Sequence, residues 1–143
     1  MIGANTGDPR VQRLLDQLEL KYQIGGEGDF KVIFNIGDGR SQLGFISSKA
    51  YTLSTLEIRE IYSFGYECDG PLPASVANIL LRLNGHVKLG AWRVMRLASG
   101  RHLAAFAAQI AANTDAHTLR TTLVSVLKTA DDLEKELSGD DIF

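Results

Sequence analysis

Cysteine is all but missing from this chain: Cys68 is the one such residue in 143. A single thiol cannot close an internal disulfide. That excludes the small stapled folds of secreted proteins, and an unpaired thiol suits a reducing compartment. An excess of one charge is missing too. Fifteen basic and seventeen acidic side chains leave a net charge of −2, which supplies no bulk attraction for nucleic acid. Long hydrophobic runs are absent as well. The most apolar stretch, "LAAFAAQIAA" at 103–112, falls well short of the ~20 residues that span a bilayer. The opening "MIGANTGDPR" has no charged segment leading into an apolar one, so no secretory leader is expected. These absences together predict a cytoplasmic protein that engages neither nucleic acid nor membrane.

What is present is ordinary for a globular chain: 45% hydrophobic and 22% charged residues. The length suits one domain, predicted over 1–143 with frayed tails at 1–7 and 139–143.

Asp8-Pro9 reads as an N-cap followed by a proline at the first helical position. Val11, Leu14, Leu15 and Leu18 then form one stripe, which predicts a helix from Pro9 to Glu19. Beyond the break at "GGEG" (25–28), Phe30, Val32, Phe34 and Ile36 alternate with Lys31, Ile33 and Asn35, the pattern of a strand. "GDG" (37–39) predicts a hairpin turn. Leu43, Phe45 and Ser47 continue the alternation in a second strand. A third has Leu56, Ile58, Tyr62, Phe64 and Tyr66 on one parity and Glu57, Arg59 and Ser63 on the other.

Pro71 and Pro73 end strand pairing. Pro73 can begin a helix with Val76, Ile79, Leu80 and Leu83 on its apolar face, and Gly85 stands where a left-handed C-cap belongs. Val87, Leu89, Ala91, Trp92 and Val94 predict a fourth strand, and Leu103 to Ile110 a fifth after the turn "ASG". The last segment is the clearest. Leu119, Leu123, Val126, Ala130, Leu133 and Leu137 recur at steps of four and three, one face of a helix begun by Thr114 or Asp115 and stopped at Gly139. The predicted order is α-β-β-β-α-β-β-α, a two-layer α+β sandwich with helices on one face of an antiparallel sheet.

Residues 73–137 resemble the C-terminal half of the YbjN family of bacterial sensory transduction regulators. "LLRLNGHVKLGAWRV", the turn "ASGRHLAAF" and the helix closing on "KTADDLEKEL" carry the resemblance. "GEGDFKVIF" and "GDGR" agree more loosely in the first half. The order of elements is similar to that of the dimeric type III secretion chaperones, whose fold that family shares. The resemblance implies a bacterial, non-enzymatic protein, since the family offers no catalytic signature to transfer.

The residues themselves offer little chemistry. His86, His102 and His117 stand singly, without the i, i+4 or cysteine-clustered spacing of metal ligands, so no metal and no cofactor are expected. Cys68 could act with a histidine as a nucleophile–base pair, but "YECDG" carries none of the surrounding pattern, and a structural cysteine is favoured. "IGGEGDF" and "IGDGRS" do not join a strand to a helix N-terminus, as phosphate-cradling loops do, and read as turns. Asp131-Asp132 and Asp140-Asp141 are sequence neighbours and read as solvated surface. Arg93, Arg96 and Arg101 around Trp92 read as a charged rim rather than a nucleic-acid site.

One feature points to function. A sheet covered on one face should alternate apolar and polar residues. Here Ile33 opposes Phe30, Val32 and Phe34 in parity, and Phe106 and Ile110 oppose Leu103, Ala105 and Ala107. Trp92 and Val94 oppose Leu89 and Ala91. Both faces are partly apolar, which predicts a partner surface drawn from Ile33, Trp92, Val94, Phe106 and Ile110. The expected partner is a second copy of the chain, in a homodimer, or another polypeptide, bound in a chaperone-like or regulatory role. The alternative is a small-molecule sensor with a pocket between helices and sheet near Tyr62, Phe64 and Trp92.

Overall fold

The computed structural model describes residues 7–37 and 39–138. Residues 1–6 of the tail expected at 1–7, the tail expected at 139–143 with the stop at Gly139 and the Asp140-Asp141 pair, and Asp38 of the expected hairpin turn lie outside the described residues. The elements run α1 (Pro9–Gln17), β1 (Tyr22–Ile24), β2 (Phe30–Gly37), β3 (Arg40–Leu53), β4 (Leu56–Cys68), α2 (Ala74–Asn84), β5 (Ala91–Arg96), β6 (His102–Ala111) and α3 (Ala116–Ser138). The strands form one antiparallel sheet in the order β1-β2-β3-β4-β6-β5. All three helices lie on one side, so this is the α+β class that the pattern predicts. No helix among the described residues is long and apolar enough to cross a membrane.

α1 begins where the sequence says it should. The Asp8 carboxylate accepts the Arg10 N–H at 2.9 Å, satisfying one of the free donors at the helix start. α3 begins the same way, with Asp115 Oδ1 accepting the Thr118 N–H at 2.7 Å. The face of α3 is continuous: Leu119, Leu123, Val126, Ala130, Leu133 and Leu137 are all buried, joined by Leu127. α3 lies over β3, β4 and β6, α2 over β5, and α1 against α3.

Close approach of α3 to the sheet requires small residues beneath it. A Cβ on Gly44 would stand 2.9 Å from Leu123 Cδ1 and Leu127 Cδ2, and one on Gly65 3.0 Å from Leu133 Cδ2. The inward parity of β4 is therefore Arg59, Ile61, Ser63 and Gly65, not the aromatic set. Arg59, only 2% exposed, donates to the carbonyls of Ser47 and Ser48 at 2.8 Å and pairs with Asp8 at 2.7 Å. It thereby ties the start of α1 to the β3–β4 pair.

Four expectations are corrected. A short strand, β1, pairs with β2 and makes "GGEG" a strand–strand turn instead of a helix–strand break. The predicted fourth strand begins at Ala91, because Val87 and Leu89 belong to the connection after α2. Gly85 caps α2 with φ −76°, in the right-handed region; the left-handed glycine is Gly90, φ +83°. Asp131 is buried, paired with Arg40 at 2.5 Å and Lys135 at 3.7 Å, rather than solvated.

Candidate functional site

Turning the small residues of β3 and β4 toward α3 turns their aromatic residues the other way. Phe45 and Tyr62 are cross-strand partners with stacked rings, 5.1 Å apart and 12° from parallel. Phe64 completes the cluster at 5.4 Å from Phe45 and 5.7 Å from Tyr62. On one side Ile33 and Leu43 pair across β2–β3; on the other, Tyr62 and Phe64 lie over Ala107 and Ala105 of β6. No described helix covers this face. Ile33 is 60% exposed and Leu43 41%. Phe45, Tyr62 and Phe64 are half-buried beside them, an apolar face of the sheet edged by charged groups.

The charges around it are mostly paired within the chain. Arg93 donates to both oxygens of Glu60 at 2.7 Å, and Gln109 adds a third hydrogen bond at 2.9 Å. The Arg93 hydrogen bonds outweigh the effect of burial and hold the Glu60 carboxyl below its usual range. Arg101 pairs with Glu67 at 2.6 Å and with Asp69. The Tyr62 hydroxyl donates to Asp29 Oδ2 at 2.9 Å, and burial and then that carboxylate push the phenol well above its usual range. Beside it, the β1–β2 turn and the Phe45–Tyr62 pair frame a cleft of about 340 Å³.

The five residues nominated from sequence do not form one surface. Ile33 belongs to the open face. Trp92, Phe106 and Ile110 lie in the helix-side core, Trp92 and Phe106 in edge-to-face contact at 5.3 Å. Val94 is 49% exposed but shares the parity of Trp92, opposite Ile33. Burial removes Trp92, Phe106 and Ile110 from any partner surface in this conformation. The pocket expected near Tyr62, Phe64 and Trp92 is divided for the same reason, because the first two lie on the open face and the third beneath the helices.

His86 follows α2, His102 opens β6 and His117 stands in the first turn of α3. Cys68 and His102 are cross-strand neighbours, yet the thiol donates to the Gly70 carbonyl and His102 Nδ1 lies 3.0 Å from the Gly100 carbonyl. Two members of the Arg93–Arg96–Arg101 cluster are held in the ion pairs above. Phe45 is missing from the surface that the sequence predicts. The signal was there: Phe45, Tyr62 and Phe64 share the parity of Ile33 across paired strands.

Comparison with known proteins returns no matching family model, no matching curated protein and no matching solved structure.

Proposed function

We propose that this domain is a non-enzymatic, cytoplasmic polypeptide-binding module, chaperone-like or regulatory, whose contact surface is the open face of the sheet and whose partner there is a second copy of itself. One observation carries the reading: the Phe45–Tyr62–Phe64 cluster lies on the face that no described helix covers. Burying aromatic and aliphatic surface is the main favourable term in association, and aromatic residues are enriched where partners meet. Charge supports self-pairing. Arg93–Glu60 and Arg101–Glu67 are already paired within one chain, which lessens the repulsion between the rims of two copies that meet face to face.

The edge of the sheet is a weaker candidate. β5 is an outer strand, but the backbone N–H and C=O of Trp92 are both taken by the Asn84 side chain. The regulatory half of the reading rests on the resemblance of residues 73–137 to the YbjN family, a fold-level analogy.

Light scattering tests the proposal directly. At about 100 µM the chain should scatter as twice its 15.6 kDa mass, since specific interfaces of ~1,200–2,000 Å² persist at such concentrations. A monomer mass there overturns it.

A further inference from the structure

On the open face one hydrogen bond reaches past a whole strand. Tyr62 stands in β4, and its hydroxyl donates at 2.9 Å to Asp29, the residue before β2. β3 lies between them, and the Tyr62 ring is stacked against Phe45 of that strand. A tyrosine ring turns on two side-chain torsions, and a partner that buries a free ring must arrest both. Here the Asp29 carboxylate arrests them within the chain. Glu60, the neighbouring carboxylate, is occupied by Arg93 and Gln109.

Asp29 is itself held. Its other oxygen, Oδ1, accepts the Ser48 N–H at 3.1 Å. Ser48 lies where the β3–β4 register shifts, between Ile46 and Ala50, and such a bulge re-aims the backbone. Ser48 Oγ accepts the Asp8 N–H at 3.0 Å and donates to the Gly28 carbonyl. The Ser48 carbonyl accepts from the buried Arg59 at 2.8 Å. The start of α1, the bulge and the β1–β2 turn therefore fix the group that fixes Tyr62.

We infer that Asp29 is the positioning residue of the open-face contact: it holds Tyr62 so that the Phe45–Tyr62–Phe64 cluster meets a second copy in one arrangement. The inference rests on the self-association proposed for this face. It adds that affinity there depends on a hydrogen bond inside each chain as well as on apolar area. The two terms give opposite signs for one substitution. Tyr62→Phe makes the surface more apolar, so burial alone would tighten the dimer. Loss of the hydroxyl also frees the ring, so positioning weakens it.

Sedimentation equilibrium of the full chain over a dilution series gives the Kd. Tyr62→Phe and Asp29→Ala should each raise it about tenfold, since both copies must then order a freed ring on binding. The double variant should be no weaker than either single one, because two changes that cut one link do not add. Asp29→Asn should recover most of the affinity, its amide accepting the Ser48 N–H and donating to the Tyr62 oxygen. Nuclear Overhauser contacts between the Phe45 and Tyr62 rings report the position itself, whatever the state of association, and should weaken in Asp29→Ala. A dimer as tight or tighter in Tyr62→Phe overturns the inference and leaves the reading of the face standing. So does an Asp29→Ala loss of equal size with and without the Tyr62 hydroxyl, or ring contacts unchanged in Asp29→Ala. A parent that stays monomeric overturns the reading of the face, and this inference with it.

Discussion

The side chain of Asn84 pairs with the backbone of Trp92 as a neighbouring strand would. Asn84 Oδ1 accepts the Trp92 N–H at 2.6 Å, and Asn84 Nδ2 donates to the Trp92 carbonyl at 3.2 Å. The last residue of α2 thus completes the hydrogen bonding of edge strand β5. An open edge is a template for another strand, and this one is closed at its most buried residue. Asn84→Ala leaves both backbone groups without their partner, which should cost ~1–3 kcal/mol. Urea denaturation measures the loss, and faster amide exchange at Trp92 should accompany it. An unchanged midpoint would show that the pairing adds nothing.

The glycines of the same connection separate by backbone conformation. Gly90, at φ +83°, would place a Cβ 2.7 Å from the Ala107 carbonyl oxygen and 2.9 Å from Phe106 Cε2. Gly90→Ala should therefore cost well over the ~1–2 kcal/mol of a left-handed backbone alone. Gly85, at φ −76°, meets only the Arg82 carbonyl at 3.3 Å, so Gly85→Ala should stay within ~1 kcal/mol of the parent. Melting temperatures of the two variants should rank in that order.

α3 is a wall of the core, and its contacts with β3 can be probed from both sides. Leu123→Ala removes a fully buried side chain and should cost ~2–5 kcal/mol. Gly44→Ala adds a methyl group where Leu123 and Leu127 already stand 2.9 Å away, and overpacking of this kind costs ~1–3 kcal/mol. A loss below ~1 kcal/mol in Leu123→Ala would mean that α3 packs elsewhere.

Acid should weaken the α1 anchor. Burial pushes the Asp8 carboxyl up, but the hydrogen bonds from Arg10 and Arg59 together outweigh it and hold Asp8 well below its ordinary 3.8. A depressed folded-state value means the stabilisation is complete above the unfolded value and is lost as pH falls toward the folded one. Asp8→Asn should thus be less stable than the parent at about pH 7, with the gap narrowing below about pH 4. A gap of constant size down to about pH 3 would remove the carboxylate's charge as its source.

The sequence was legible wherever one rule governed a long segment. The steps of four and three from Leu119 to Leu137 all point inward, and the meander of β2, β3 and β4 follows the alternation read from it. β1 escaped because three residues, Tyr22–Ile24, are too few to show a period. The orientation of β3 and β4 was hidden for a different reason. Hydrophobicity places Phe45, Tyr62 and Phe64 inside, but α3 needs Gly44, Ser63 and Gly65 beneath it, and close approach decides the facing. The sequence predicts Trp92, Phe106 and Ile110 at the surface because parity within one strand cannot say which face the helices take. Arg59 and Asp131 were unreadable as buried residues, since their partners Asp8 and Arg40 lie 51 and 91 positions away.

Sedimentation equilibrium of three chains tests the central claim, that the open face joins two copies. At about 100 µM the parent should be a dimer, a population that a Kd near or below the micromolar range secures. Phe64→Glu places a charge in the aromatic cluster and should sediment as a monomer with the parent's circular dichroism. Val94→Glu places one on the exposed opposite parity of β5 and should remain a dimer. A parent that is monomeric, or a dimer that survives Phe64→Glu and dissociates in Val94→Glu, contradicts the account.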